Sequence, residues 1–166
     1  MESFGLPQRV LFALLPLTLL ACSPDDGGEE PTACPASSVC AASSTNTLAV
    51  GERQGDALVA FSSGQKLEII HGPQGGQHVL ADAALSTDEP GNWTVVFQLV
   101  DPNDGMMFGQ STRRLRVCSC PSFLQNVAVI LNSDADHAGT LKVSAESPSG
   151  KQVAAPDVDI EAVQSL

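Results

Sequence analysis

His71 and His78 bracket the glycine-rich stretch 72–77. If the flanking runs pair as a hairpin, the two imidazoles face each other across its base with Cβ atoms roughly 5 Å apart. Histidines at that spacing could hold Cu²⁺ or Zn²⁺, with Met106, Met107 or a cysteine completing the set. The competing reading makes them strand-end residues that hydrogen-bond the loop. No third ligand lies at a telling spacing, and the His…Cys…His…Met order of blue-copper proteins is absent. The residues therefore assign no metal site, and metal handling by His71 and His78 stands as the alternative function. Asn132-Ser133-Asp134-Ala135-Asp136 sets three oxygen-bearing side chains at alternate positions, but without the later Gly and Glu of a calcium loop it reads as a solvated turn.

Nucleophilic and hydrolytic chemistry finds little to work with. The chain has no G-x-S-x-G, no H-E-x-x-H and no phosphate-binding glycine loop, so no catalytic residue is named and a non-enzymatic role is expected, with no cofactor. Asn92-Trp93-Thr94 matches a glycosylation sequon but falls on a run expected to be buried. Arg113, Arg114 and Arg116 form the basic cluster and are expected to pair with carboxylates. Net charge is −11, with 19 acidic residues against 8 basic ones, a field that repels polyanions and argues against nucleic-acid binding. Aromatic content is 4%, with no tyrosine, which leaves few platforms for stacking sugars or bases.

Five cysteines supply the remaining chemistry, an odd number that asks for one with a separate fate. Arg9 precedes the apolar run 10–20, which has the length of a signal-peptide core and is too short to span a bilayer comfortably. The run ends at Leu19-Leu20-Ala21-Cys22, which resembles the lipobox of bacterial lipoproteins. The resemblance implies cleavage before Cys22, a diacylglycerol thioether on its sulfur and usually an N-acyl chain. Anchoring by two or three chains is effectively stable, whereas one binds only marginally. Ser23 stands where members kept in the inner membrane often carry Asp, so the resemblance implies an outer-membrane location, periplasmic or surface-facing. The membrane, through lipid on Cys22, and an envelope protein are the expected partners.

The expected organisation is a signal peptide over 1–21, a lipidated N-terminus and acidic, Pro/Ser-rich linker over 22–46, and a β domain over 47–166. Linker residues up to Cys34 reach roughly 40 Å when extended, which is clearance from a membrane. Cys34, Cys40, Cys118 and Cys120 are left for disulfides, with three possible connectivities. Read as a strand, Cys118-Ser119-Cys120 sends both thiols from one face with Cα atoms roughly 6.5 Å apart, near the limit for a bridge. Bonding each to the N-terminal pair is easier and pins the linker to the domain. Cys34–Cys40 with Cys118–Cys120 is the other arrangement.

From Thr47 onward the pattern is period two. Val79, Ala81, Ala83 and Leu85 alternate with His78, Leu80, Asp82 and Ala84; Trp93, Val95, Phe97 and Leu99 share a face; Leu141, Val143 and Ala145, then Val158, Ile160 and Ala162, do the same. Further runs are 57–61, 66–71, 108–118 and 124–131. Turn residues separate them, as in Gly72-Pro73-Gln74-Gly75-Gly76 and Pro102-Asn103-Asp104-Gly105. About eight such strands predict a single antiparallel β-sandwich with Greek-key links, a closed barrel being the other architecture the pattern permits. Asp136 to Val143 resembles the approach to a late strand in immunoglobulin-like domains, with Thr140 where a Tyr commonly follows the Gly. Leu67 to Val79 resembles a segment of uncharacterised envelope lipoproteins of myxobacteria and their relatives, which implies an envelope location and no particular activity.

Overall fold

The computed structural model describes residues 46–73, 75–132 and 136–164. They form ten strands: β1 Thr47–Gln54, β2 Ala57–Ala60, β3 Gln65–His71, β4 Gln77–Ser86, β5 Gly91–Val100, β6 Met107–Val117, β7 Ser122–Leu131, β8 His137–Glu146, β9 Gln152–Ala154 and β10 Val158–Gln164. Among the described residues there is no helix. The alternation read from the sequence is realised in β5, where Trp93, Val95, Phe97 and Leu99 are wholly buried while Asn92 and Thr94 are exposed. Burial of each such side chain contributes roughly 1.5–3 kcal/mol, and together with Ile69, Leu85, Leu141 and Ile160 they fill the interior.

The sheet closes on itself. Pairings run β4–β3–β10–β8–β5–β6–β7 and return to β4, a seven-stranded barrel, with β1, β2 and β9 attached outside the ring. This overturns the expected immunoglobulin-like sandwich, in which two sheets stay separate. One-sided burial with period two is common to both architectures, so the pattern does not distinguish them. Closure rests on two short seams: Ile70–His78 and His71–Gln77 join β3 to β4, and Gly109–Leu131 and Gln110–Ile130 join β6 to β7. The arrangement is not wholly antiparallel either. β10 lies parallel to β3, with Ile160 beside Gln65 and Gln164 beside Ile69.

Both seams lie at one rim, with the β3–β4, β5–β6 and β7–β8 connections. The opposite rim carries the connections 61–64, 87–90, 118–121 and 147–151, and it is there that Asn46 leads into β1. Its loops are tied together. Lys151 Nζ lies 3.1 Å from Asp88, Ser149 Oγ donates to Glu89 at 3.0 Å, and Asn46, with its amide oriented to satisfy its neighbours, bridges Thr87, Asp88 and Lys151. Trp93 Nε1 donates to the Glu89 carbonyl at 3.1 Å, fixing the same rim to the core.

A cleft where one strand edge is shared

β4 is paired with β7 along most of its length on one edge, but its other edge is divided. Gln77 and His78 take β3, Asp82 to Ser86 take β1, and Val79 to Ala81 take neither. β3 diverges from β4 beyond its two-pair seam, and β1 turns away toward β2. The wedge between them is a cleft of about 240 Å³.

Gly51 is the pivot of one wall. It pairs with Asp82 of β4 and with Ala60 of β2, so it is the residue at which β1 changes partner. A Cβ at Gly51 would drive into the carbonyl of Val59, so β1 and β2 can approach this closely only with glycine here. The hairpin they form turns on Gly55 and Asp56, with Gly55 at φ 64°, the left-handed conformation that two-residue hairpin turns favour. Arg53 holds this hairpin down: its guanidinium donates to the Gly55 carbonyl at 2.7 Å and lies 4.7 Å from the Phe123 ring centre, a cation–π arrangement.

Asp82 forms the back of the cleft. It is 8% exposed, although alternation in the sequence assigns it to the solvent face. Its Oδ2 accepts from the Arg53 N–H of β1 at 2.6 Å and its Oδ1 from the Asn126 N–H of β7 at 2.5 Å. The carboxylate thus replaces missing ladder bonds on both sides of β4, and both oxygens are engaged. Leu67, Leu80, Ala81, Ile70 and Phe61 supply the apolar lining, with Glu52 and Glu68 at the opening. Lys66 also lines the cleft, and its ammonium is 3.6 Å from Glu161 of β10. Glu52 and Glu68 make no ion pair among the described residues. Such a site offers backbone hydrogen bonds, an apolar trough and negative charge.

The residues singled out by sequence are placed elsewhere. His71 pairs with Gln77 and His78 with Ile70, so the two imidazoles leave opposite faces of the hairpin and do not meet. His71 Nε2 instead lies 2.7 Å from Gln164 Oε1. Met106 and Met107 are exposed in and beside the β5–β6 turn, where Met107 sulfur accepts from Gln98 at 3.7 Å. Among the described residues, no cluster of three His, Cys, Asp or Glu could hold a metal ion. Asp136 accepts from the Gln164 N–H at 2.7 Å, while Ser133, Asp134 and Ala135 lie outside the described residues. Arg113 and Arg114 form no ion pair among the described residues, contrary to expectation; Arg113 donates to the Thr112 carbonyl.

Cys22, Cys34 and Cys40 lie outside the described residues. Cys118 and Cys120 are both disulfide-bonded. They occupy the turn after β6 and not a strand, since β6 ends at Val117 and β7 starts at Ser122, so the same-face strand spacing does not apply to them. Ser122 Oγ donates to the Ser119 carbonyl at 2.7 Å and closes that turn. The cleft itself escaped the sequence reading. Its one local signal was a carboxylate at Asp82 between two small apolar residues, Ala81 and Ala83.

No protein-family profile matches the chain, and no curated protein matches it either. Among solved structures it is similar to the N-terminal domain of PorA, with 13% identity, 72% of this chain and 98% of that one covered, and a TM-score of 0.37.

Proposed function

We propose that the protein is a lipid-anchored component of a bacterial envelope whose barrel serves protein–protein contact and carries out no catalysis. The observation that carries this reading is the lipobox-like Leu19-Leu20-Ala21-Cys22 at the end of a signal-sized apolar run. The fold is compatible with it in one specific respect. Thr47 pairs with Ser86, and Leu85 pairs with Ser122, so the start of β1 and the Cys118–Pro121 turn stand on either side of β4 at one rim. Two strand spacings separate them, about 10 Å. A linker bonded to that turn would therefore meet the barrel at the rim where β1 begins.

Replacing Cys22 by Ser tests the anchor. The wild-type protein is expected in the membrane fraction, with its processed N-terminus at Cys22 carrying acyl chains. Cys22→Ser is expected in the soluble fraction without those chains. Identical fractionation of the two proteins would defeat the reading.

A further inference from the structure

The cleft has the construction of a receptor for a strand. Gln65 to Ile69 of β3 are paired with β10 along one edge, yet toward β4 the ladder holds only Ile70 and His71. Across the wedge, Val79 to Ala81 of β4 lack a strand partner on the facing edge. Two stretches of unpaired strand edge therefore face one another, over a length of roughly 13 Å on the β3 side beyond Gln65, whose N–H is taken by the Ser62 carbonyl. Exposed edges are usually blunted by proline, by brevity or by cover. The two outlying strands follow that rule, β2 having 4 residues and β9 having 3. Neither brevity nor proline blunts β3, with 7 residues, and of its two edge charges Lys66 lies against Glu161 of β10, which leaves Glu68.

We propose that this cleft receives an extended, basic segment of a partner protein, added as a strand along the free edge of β3. Backbone groups of Lys66 to Ile69 would supply the ladder, and the trough formed by Leu67, Leu80, Ala81 and Phe61 would take alternate apolar side chains. The volume argues for part of an extended chain and against a whole small ligand, since 240 Å³ falls below the roughly 300–1,000 Å³ of ligand pockets. Charge selects the sign. Both Asp82 oxygens are already held by backbone N–H groups and Lys66 faces Glu161, which leaves Glu52 and Glu68 as the uncompensated charges at the opening. A net charge of −11 adds to the same field. Lysine or arginine on the incoming strand is therefore favoured, and acidic residues are repelled.

The inference rests on the reading of the barrel as a contact module, but Cys22→Ser reports only on the anchor, so either can fail without the other. The test uses the mature chain, isotopically labelled, titrated with an acetylated peptide of about six residues alternating Val and Lys, the usual length of a strand. Two control peptides accompany it, one with Glu for Lys and one N-methylated at alternate residues. The Lys peptide is expected to shift amides across Lys66 to Ile69 and Val79 to Ala81, and to protect the alternate ones that face the cleft and not β10 or β7. N-methylation, by removing several ladder bonds, is expected to weaken binding roughly tenfold or more. The Glu peptide should not bind, and combining Glu52→Gln with Glu68→Gln should weaken the Lys peptide several-fold. Four results would overturn the proposal: no saturable binding at millimolar peptide, equal affinity for the N-methylated peptide, shifts confined to other surfaces, or protection of the same amides by self-association without peptide. The last would put a second copy of the chain in the cleft.

Discussion

Asp82 and Asn126 meet where the β4–β7 ladder slips register, between Ala81 and Ala83, and the Asp82 carboxylate closes the break by accepting the Asn126 N–H. Asn126 has φ 50°, so its backbone turns into the left-handed region at the bulge. Asparagine tolerates that conformation better than most residues. The same carboxylate then reaches β1 through the Arg53 N–H. One side chain on the central strand thus ties the strand on either side of it.

Removing that side chain leaves two backbone donors without acceptors. Hydrogen bonds to a charged group contribute about 1.5–3 kcal/mol each, so Asp82→Ala is expected to destabilise the protein by about 3 kcal/mol. Asp82→Asn keeps one amide oxygen as acceptor and is expected to cost less. Urea unfolding of the three proteins measures this directly. An alanine variant as stable as wild type would mean that water replaces the carboxylate at no cost.

Gly51 makes a steric prediction of a different kind. The obstacle to a side chain there is the backbone of Val59, which cannot rotate away as a side chain could. Gly51→Val should therefore peel β2 from β1 while β4 and β7 stay paired, since the barrel ring does not include β2. Hydrogen exchange should show lost protection at Gln54 to Ala60, with the Arg53 amide, held by Asp82, and the Trp93 environment unchanged. Wild-type protection across that hairpin would refute the close approach.

How much of this was legible in the sequence follows from which relations are local. Trp93, Val95, Phe97 and Leu99 announce their shared face because alternation along one strand needs no knowledge of its neighbours. Barrel closure depends on two seams of two residue pairs each and on the parallel contact of Gln65 with Ile160, none of which leaves a periodic trace. Asp82 departs from its expected face for the same reason. Alternation sends it to solvent, and only the packing of β1 and β7 around β4 covers it. For His71 and His78 the error is one of register: a connection over 72–76 pairs His71 with Gln77, and a one-residue offset sends the second imidazole to the other face.

Asp88 offers a pH prediction with a definite sign. The hydrogen bond from Lys151, reinforced by the charge of the same ammonium, holds the Asp88 carboxyl below its ordinary value of 3.8. A group depressed in the folded state stabilises the fold above its unfolded pKa and loses that contribution as pH falls through the folded one. The effect is thus confined to the acid range below about pH 4. Lys151→Met should raise the Asp88 titration midpoint toward the ordinary carboxylate, read by NMR of its side-chain carbon. A midpoint unmoved by the substitution would show that Lys151 is not its cause.

The cysteines give the last prediction. Cys118 and Cys120 are both bonded, in a turn at the rim where Asn46 leads into β1, and Cys34 and Cys40 are the nearest cysteines before that point in the chain. A non-reducing peptide map is expected to join Cys118 and Cys120 each to one of Cys34 and Cys40, with no free thiol at any of the four. Each bridge would close a loop of some eighty residues, and in the chain-entropy model such a loop contributes about 4 kcal/mol. Reduction should therefore lower the urea midpoint strongly, and a combined Cys34→Ser and Cys40→Ser variant should match the reduced protein. A Cys118–Cys120 peptide in the map would refute the pairing. Neither bridge would then cross from linker to barrel.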